Sequence, residues 1–322
     1  MSLGSRIIGA SIIASSLFAL PAFAEECIAP ADPGGGWDFT CRTAGKLLYD
    51  LQLVDEPVQV TNMPGGVGAV AWANVASRRA DDASLIVATS TVGITEIAQG
   101  RYPSDASAMR WIGMLGTDVG VVVVPADSEY ETLDQLVEQL NQDPASIAAA
   151  GSSGAGGWDH IRLLMLAEAG GLSSEEYQQI RWVQFDGGSP AVTQMLGGQV
   201  DVVTTDLGEI AGFVESGDIR ILAAMSDEPI PAFPDAPTAI DQGYEVTGYN
   251  WRGFYTGGDV SDEAYDEWVA TLEELYNTDE WKEAAESSGL IPVWRGGEEF
   301  ETYVNEQAEQ MAEISRQIGV IE

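Results

Sequence analysis

The stretch CIAPADPGGGWDFTC, residues 27–41, has three consecutive glycines directly before Trp37 and Asp38, and its ends are the only two cysteines of the chain. Glycine-rich backbone is either a flexible linker or a segment that comes very close to a bound group, since no side chain stands in the way. The rest of the sequence favours the second interpretation, because similar glycine clusters recur along the chain.

The first 24 residues have the features of a secretion signal. Arg6 precedes the apolar run IIGASIIASSLFAL, which is followed by the small-residue pattern PAFA. The run is shorter than the ~20 residues of an ordinary membrane span, so a transmembrane anchor is the less favoured alternative. We predict a signal peptide over residues 1–24, cleavage after Ala24 and export of the remainder.

The two cysteines lie 14 positions apart in a chain predicted to be exported. An oxidising compartment favours a disulfide between Cys27 and Cys41, and free buried thiols are the alternative. A bridge that closes a ring of this size contributes ~3 kcal/mol in the chain-entropy model. It would hold the glycine segment at both ends, which argues against a flexible linker.

The chain is strongly acidic, with 51 Asp and Glu against 14 Lys and Arg and a formal net charge of -37. Because the acids are spread along the sequence, they indicate a solvated surface and not an acidic tail. Such a surface repels nucleic acids and anionic membranes, so we predict neither as a partner. It suits a saline environment, where salt screens the self-repulsion.

Short apolar segments alternate with amphipathic ones, which is typical of an α/β protein. Runs that are too short for helices and mostly rich in β-branched residues predict strands at 57–62, 84–90, 111–116, 119–125, 146–151, 181–186, 200–206 and 219–225. Helices are predicted over 132–142, 158–170 and 297–318. Thr132 is the predicted N-cap of the first of these helices.

A glycine-rich turn between a strand and a helix recurs four times. The turns are PGGGWD, MPGGVGA, SSGAGGWD and GGSPA, at residues 33–38, 63–69, 152–159 and 187–191. A helix that begins just after a strand directs unpaired N–H groups and its positive dipole end towards the crevice at the carboxyl edge of the sheet. Turns of this kind bind anions. Trp37 and Trp158 follow two of the turns, where each ring is either a core residue or a pocket wall.

Catalytic and cofactor motifs are poorly represented. Gly66, Gly68 and Ala71 match the spacing of a dinucleotide-binding turn, but the acid expected ~20 positions later is missing. The single histidine, His160, has no cysteine near it in sequence, and we interpret it as a packing or helix-surface residue. A metal site built on His or Cys clusters is excluded by count. We therefore predict no enzymatic activity, no cofactor and no metal.

Five segments, in order, resemble the periplasmic substrate-binding proteins of tripartite tricarboxylate transporters, the TctC-like Bug family. They are PGGGWDFTCR, NMPGGVGAVA, GSSGAGGWDH, QFDGGSPAVTQMLGGQVDVVTTD and APTAIDQGY, at 33–42, 62–71, 151–160, 184–206 and 236–244. The resemblance covers nearly the whole predicted mature chain. The cysteine-flanked first loop is most similar to the branch associated with tricarboxylates such as citrate.

The resemblance implies a two-lobed α/β clamshell, with a sheet flanked by helices in each lobe and two hinge crossings. We expect residues 25–122 and 224–322 in the first domain and 123–223 in the second. It further implies a monomeric periplasmic receptor that captures a small organic polycarboxylate, such as citrate, and delivers it to the large and small permease subunits of the transporter. The alternatives are a carboxylate receptor that signals to a sensor kinase and a secreted, salt-adapted hydrolase.

The resemblance also implies ligand-binding residues in both lobes. In the first lobe these are Gly34, Gly35, Gly36, Gly65 and Gly66, as backbone donors to one carboxylate, with Trp37, Asn62, Ser90 and Thr91. In the second lobe they are Ser152, Ser153, Gly156, Gly187, Gly188 and Asp206. Asp38 is either a ligand-orienting acceptor or a stabiliser of the helix terminus, and Arg252 is either an anion partner or part of a structural ion pair.

Overall fold

Two sheets that share one long strand organise the protein into two lobes. The structure, a computed structural model, describes residues 25–185 and 187–321. The predicted signal peptide, 1–24, lies outside the described residues. The predicted α/β class and the two-lobed architecture are confirmed.

The described residues form ten strands and eleven α-helices. The strands are β1 (Glu26–Ala29), β2 (Gln59–Asn62), β3 (Leu85–Ser90), β4 (Met109–Pro125), β5 (Ala148–Gly151), β6 (Arg181–Gln184), β7 (Val202–Asp206), β8 (Ile219–Ala224), β9 (Tyr249–Gly257) and β10 (Ile291–Gly296). The helices are α1 (Gly36–Asp50), α2 (Ala69–Arg78), α3 (Thr91–Ala98), α4 (Leu133–Gln142), α5 (Trp158–Ala169), α6 (Ser174–Tyr177), α7 (Gly188–Leu196), α8 (Leu207–Glu215), α9 (Asp262–Asn277), α10 (Asp279–Ser287) and α11 (Gly297–Gln317).

The first lobe is built on the strand order β2-β1-β3-β9-β4, with β10 also paired to β4. Strands β1, β2 and β3 are parallel to one another, whereas β9 and β10 run antiparallel to their neighbours. The second lobe has the order β4-β7-β5-β6, with β8 on β4, and its strands β5, β6 and β7 are parallel. Each lobe therefore has three parallel strands whose carboxyl ends lie at one edge.

Strand β4 passes from one lobe to the other. Residues Met109 to Val119 pair with β9, and Gly120 to Pro125 pair with β7 or β8. The sequence-based prediction of two separate strands is wrong here, because Thr117 and Asp118 also pair with β9 and keep the strand continuous. The lobes are thus joined through unbroken backbone at this crossing.

Helices follow the six parallel strands, so their N-termini lie at the same edges as the strand ends. The stripe predicted for 132–142 is confirmed: Leu133, Leu136 and Leu140 are buried, and the Thr132 hydroxyl accepts a hydrogen bond from the Gln135 N–H. None of the helices in the described ranges is long and apolar enough to cross a membrane.

The predicted disulfide is present and joins β1 to α1. The Cα atoms of Cys27 and Cys41 lie 5.7 Å apart, and both side chains are fully buried. The bridge closes the segment that carries the three glycines into a ring. This segment is therefore a fixed loop between a strand and a helix, and the linker interpretation is excluded.

Candidate functional site

A cavity of about 400 Å³ lies between the lobes, at the carboxyl ends of the parallel strands. It is lined by Pro30, Ala31, Asp32, Gly35, Gly36, Trp37, Pro64, Gly65, Gly66, Val67, Ser90 and Val92 from the first lobe, by Ser152, Gln184, Gly187 and Glu209 from the second, and by Arg252 of β9. Its volume lies in the usual range of small-molecule sites.

The first helix presents unpaired backbone donors to this cavity. Gly35 is the N-cap of α1 and has no side chain, so no side-chain hydrogen bond caps the helix within the described residues. The N–H groups of Gly36 and Trp37 have no acceptor in the described part of the chain. Together with the helix dipole they form a site for a negatively charged group.

The second glycine loop turns sharply at the cavity wall. Gly65 has φ +129° and Gly66 has φ +58°, which are conformations that favour glycine. The Tyr102 hydroxyl donates a 2.7 Å hydrogen bond to the carbonyl oxygen of Val67 and fixes the end of the turn. The loop therefore holds its backbone in place without a ligand.

Ser90 provides a further donor. Its hydroxyl oxygen accepts hydrogen bonds from the indole N–H of Trp37, at 3.1 Å, and from the backbone N–H of Val92, at 3.2 Å. Since a hydroxyl has two lone pairs and one hydrogen, the hydroxyl proton is left to donate. Ser90 borders the cavity but is fully buried, so donation of this proton to a ligand oxygen stays a prediction.

Arg252 brings a positive charge to the floor of the cavity. It is 4 % exposed, and its Nη2 donates to Asp206 at 2.7 Å and to Asp118 at 3.1 Å, with Glu209 at 3.5 Å. A Cβ at position 36 would lie only 2.4 Å from its Nη1. The guanidinium therefore lies directly beside the N-terminus of α1. The structural ion-pair interpretation of Arg252 agrees with these contacts, and because Arg252 also lines the cavity, its role as an anion partner stays a prediction.

Arg252 and a second arginine, Arg162, lie beneath the cavity among four buried acids. These acids are Asp118, Asp159, Asp206 and Glu209. Arg162 Nη2 donates at 2.8 Å both to Asp159 and to Asp206. Burial alone would raise the pKa of Asp206, but the charges of Arg162 and Arg252 hold it below its ordinary value. Burial, together with the charge of Asp206, raises the pKa of Asp118 to about 7. The cluster carries four carboxyl groups against two guanidinium groups, so the ionisation of each acid depends on the charges of the others.

Half of the sequence-predicted site residues lie on the cavity wall. These are Gly35, Gly36, Trp37, Gly65, Gly66, Ser90, Ser152 and Gly187. Trp37 is both a wall residue and a core residue, since it is 7 % exposed and belongs to the main hydrophobic cluster. Ligand contact by any of these residues stays a prediction.

The other predicted site residues lie outside the lining and use their polar atoms within the protein. They are Gly34, Asp38, Asn62, Thr91, Ser153, Gly156, Gly188 and Asp206. The Asp38 carboxylate, for example, accepts the N–H of Gly34 at 2.9 Å and the amide of Asn62 at 2.8 Å, and it pairs with Arg42. The helix-terminus interpretation of Asp38 therefore agrees with its geometry.

His160 packs inside the second lobe. It lies in the first turn of α5, is 9 % exposed, and its ring centroid is 4.7 Å from that of Trp182. Its Nδ1 accepts the N–H of Gly156 at 2.8 Å, and burial lowers its pKa to about 4. The packing interpretation is the one that the structure supports.

Sequence reasoning missed Gln184 and Glu209, which line the second-lobe side of the cavity. Both lie where the glycine turns lie, between the carboxyl end of a parallel strand and the first turn of the next helix. Gln184 is the last residue of β6, and Glu209 is the third residue of the helix after β7. A search for polar residues at the end of a strand or in the first turn of the following helix, and not only for glycines, identifies both.

Comparison with known proteins agrees with this geometry. Residues 50–320 match the family model described as tripartite tricarboxylate transporter family receptor. The chain belongs to this family. The curated relative protein BugT of Bordetella pertussis is 24% identical over 309 residues, which cover 93% of this chain and 90% of BugT.

Solved structures share the fold. The periplasmic binding protein BugD superposes with a TM-score of 0.82 at 22% identity, covering 94% of this chain and 99% of BugD. A protein of Rhodopseudomonas palustris with adipate gives a TM-score of 0.83 at 17% identity, covering 93% of this chain and 98% of the other. These two solved structures therefore share the fold described above.

Proposed function

We propose that the protein binds a small organic carboxylate between its lobes in the periplasm, as a monomer, and delivers it to the large and small permease subunits of a tripartite tricarboxylate transporter. The observation that carries this proposal is the group of donors on one wall: the Arg252 guanidinium, the free N–H groups of Gly36 and Trp37, and the Ser90 hydroxyl. A carboxylate would satisfy all of these donors at short range, where the negative net charge of the chain has little influence.

We further propose that ligand binding closes the lobes about two crossings of the chain. One crossing lies between Val119 and Gly120, where β4 changes partners. For the other we place the boundary at Gly248, later than the expected 224, because Ala224 bridges to Thr238 and the N–H of Gly248 donates to Met225. A ligand that contacts both lobes would stabilise the closed arrangement.

Citrate is the ligand that the family resemblance predicts, and a panel of acids tests the broader proposal. The melting temperature of residues 25–322 is measured with citrate, succinate, malate, adipate and 4-hydroxybutyrate, and each acid is followed by proton NMR during incubation. We expect at least one acid to raise the melting temperature and to stay chemically unchanged, since a ligand at 100 times its Kd stabilises by ~2.7 kcal/mol. If none does, the proposal fails, and consumption of an acid would favour the hydrolase alternative.

The transporter step has its own test. Uptake of the stabilising acid into cells or vesicles that contain the permease subunits is measured with and without the purified receptor. The proposal expects uptake only with the receptor present. A receptor that binds the acid but leaves uptake unchanged would favour the sensor-kinase alternative.

A further inference from the structure

The second-lobe wall of the cavity differs in chemistry from the first. Its α7 helix begins at Gly188 after a glycine N-cap, which is the same arrangement as the one proposed to bind a carboxylate in the first lobe. Here the position is already taken, because the Glu209 carboxylate accepts the Gly188 N–H at 2.6 Å. The protein's own acid thus occupies the place where a second ligand carboxylate would bind.

The carboxylate of Glu209 is held in this place by its surroundings. Its side chain is 8 % exposed, and the Ser189 hydroxyl donates at 2.6 Å to its backbone carbonyl oxygen. Its other carboxylate oxygen lies 3.5 Å from Arg252, which makes shorter bonds to Asp206 and Asp118. Glu209 is therefore neutralised only in part and keeps acceptor capacity that faces the cavity.

Ser152 adds a second acceptor to the same wall. Its hydroxyl donates to the Asp159 carboxylate, which also accepts the Ser152 backbone N–H at 2.7 Å. With its single proton used, the Ser152 oxygen has only lone pairs to offer to the cavity. On this wall the amide of Gln184 is the remaining side-chain donor among the described lining residues.

Resting on the proposed function, we infer that Glu209 selects ligands with one carboxylate and, at the other end, a hydrogen-bond donor such as a hydroxyl or an ammonium group. The carboxylate of the ligand faces the donors of the first lobe and Arg252, and the donor group of the ligand faces Glu209 and Ser152. A second ligand carboxylate at that end would meet the buried negative charge of Glu209, because the Gly188 N–H is already bonded to Glu209 and cannot receive it. A tricarboxylate such as citrate is disfavoured for the same reason.

Isothermal titration with matched probes tests this inference on the unmodified protein. The probes are succinate, 4-hydroxybutyrate and 4-aminobutyrate, which have four carbons each, and glutarate, 5-hydroxypentanoate and 5-aminopentanoate, which have five. We expect the hydroxy or amino acid to bind at least 10-fold more tightly than the diacid of the same length. Tighter binding of the diacid, or of citrate, overturns the inference while it supports the proposed function. If none of the acids binds, both fail.

The variant Glu209→Gln ties the preference to this residue. Glutamine keeps the shape and an acceptor but removes the charge, so the diacid should gain about 10-fold in affinity and the amino acid should lose as much. Glu215→Gln on the same helix is the matched control, because its side chain is exposed and lies outside the cavity lining. An unchanged preference in a folded Glu209→Gln variant overturns the inference. The comparison of probes on the unmodified protein stands if that variant does not fold.

Discussion

The guanidinium of Arg252 lies where a side chain at position 36 would begin, since a Cβ built on Gly36 stands 2.4 Å from Arg252 Nη1. The third glycine of the GGG run is therefore required by a close approach and not by a left-handed backbone. This contact connects the first-lobe loop to the buried ion pairs of β9, so the loop and the charge at the cavity floor depend on each other.

Replacing Gly36 by Ala tests this relationship. The added methyl group would push the guanidinium away from Asp206, and we expect ligand affinity to fall at least 10-fold and stability to fall by ~1–3 kcal/mol, as for overpacking elsewhere. Calorimetric titration and urea unfolding measure the two effects. Gly212→Ala is the control, because a Cβ there meets no atom within 4 Å and the helix should gain ~0.5–1 kcal/mol. Unaltered binding in Gly36→Ala would remove this contact from the site.

Replacing both Cys27 and Cys41 by Ala should lower the free energy of unfolding by ~3 kcal/mol, because the unfolded chain regains the freedom of an open ring. Alanine avoids placing a hydroxyl at two fully buried positions. Urea denaturation with and without a reductant measures the effect. The reductant should destabilise the unmodified protein alone; an equal effect on the double variant would show that the disulfide is not its target.

Replacing Asp206 by Asn separates a structural role from ligand contact. Two arginines share this carboxylate, and removing one partner of a buried ion pair costs ~3–5 kcal/mol. We expect a large fall in the melting temperature, also without ligand. The exposed Asp241→Asn is the control and should change little. A variant of normal stability with weakened binding would instead support the predicted ligand role of Asp206.

Protonation of His160 should make the protein sensitive to acid. Its pKa is about 4 in the folded protein against 6.5 in the unfolded chain, so the unfolded state alone takes up the proton as the pH falls from 6.5 to 4. The neutral His160 ring therefore contributes its full share to the free energy of unfolding above pH 6.5. This contribution decreases as the pH falls from 6.5 to 4, and at pH 4.5 about 2 kcal/mol of it is lost. The raised pKa of Asp118 acts in the opposite direction, so the effect must be read as a difference between variants.

His160→Asn provides that difference, because the Asn oxygen can accept the Gly156 N–H in place of Nδ1 but does not titrate. Unfolding free energies of both proteins are measured at pH 7 and pH 4.5. On going from pH 7 to pH 4.5, the free energy of unfolding of the variant should rise by about 2 kcal/mol relative to that of the unmodified protein. A difference of the same size between the two proteins at both pH values would exclude His160 as the titrating group.

The sequence predicted the elements with strong local signals. Apolar runs identified most strands of both lobes, and the glycine turns identified the edges that face the cavity. The break expected between 116 and 119 is absent, because Thr117 and Asp118 gain partners on β9, which is distant in sequence. Strands β9 and β10 were not predicted: the aromatic and charged residues of β9 are buried by tertiary contacts that no local pattern shows, and β10 is a half-buried strand whose partner, β4, is distant in sequence.

Only half of the predicted site residues line the cavity, for a related reason. A glycine turn shows where backbone N–H groups are exposed but not what occupies them. Gly188 has the same local sequence features as Gly36, yet its N–H is bound by Glu209, 21 positions away. Likewise, Asp206 ends a strand as a ligand-binding acid would, but two arginines from α5 and β9 neutralise it.

A crystal structure with the acid that raises the melting temperature most is the direct test of carboxylate binding by the first lobe. We predict a carboxylate oxygen within hydrogen-bond distance of the Gly36 or Trp37 N–H and of the Arg252 guanidinium, with the lobes closed over it. An acid bound elsewhere, or one whose carboxylate contacts only the second lobe while those donors face bulk water, would contradict the proposal.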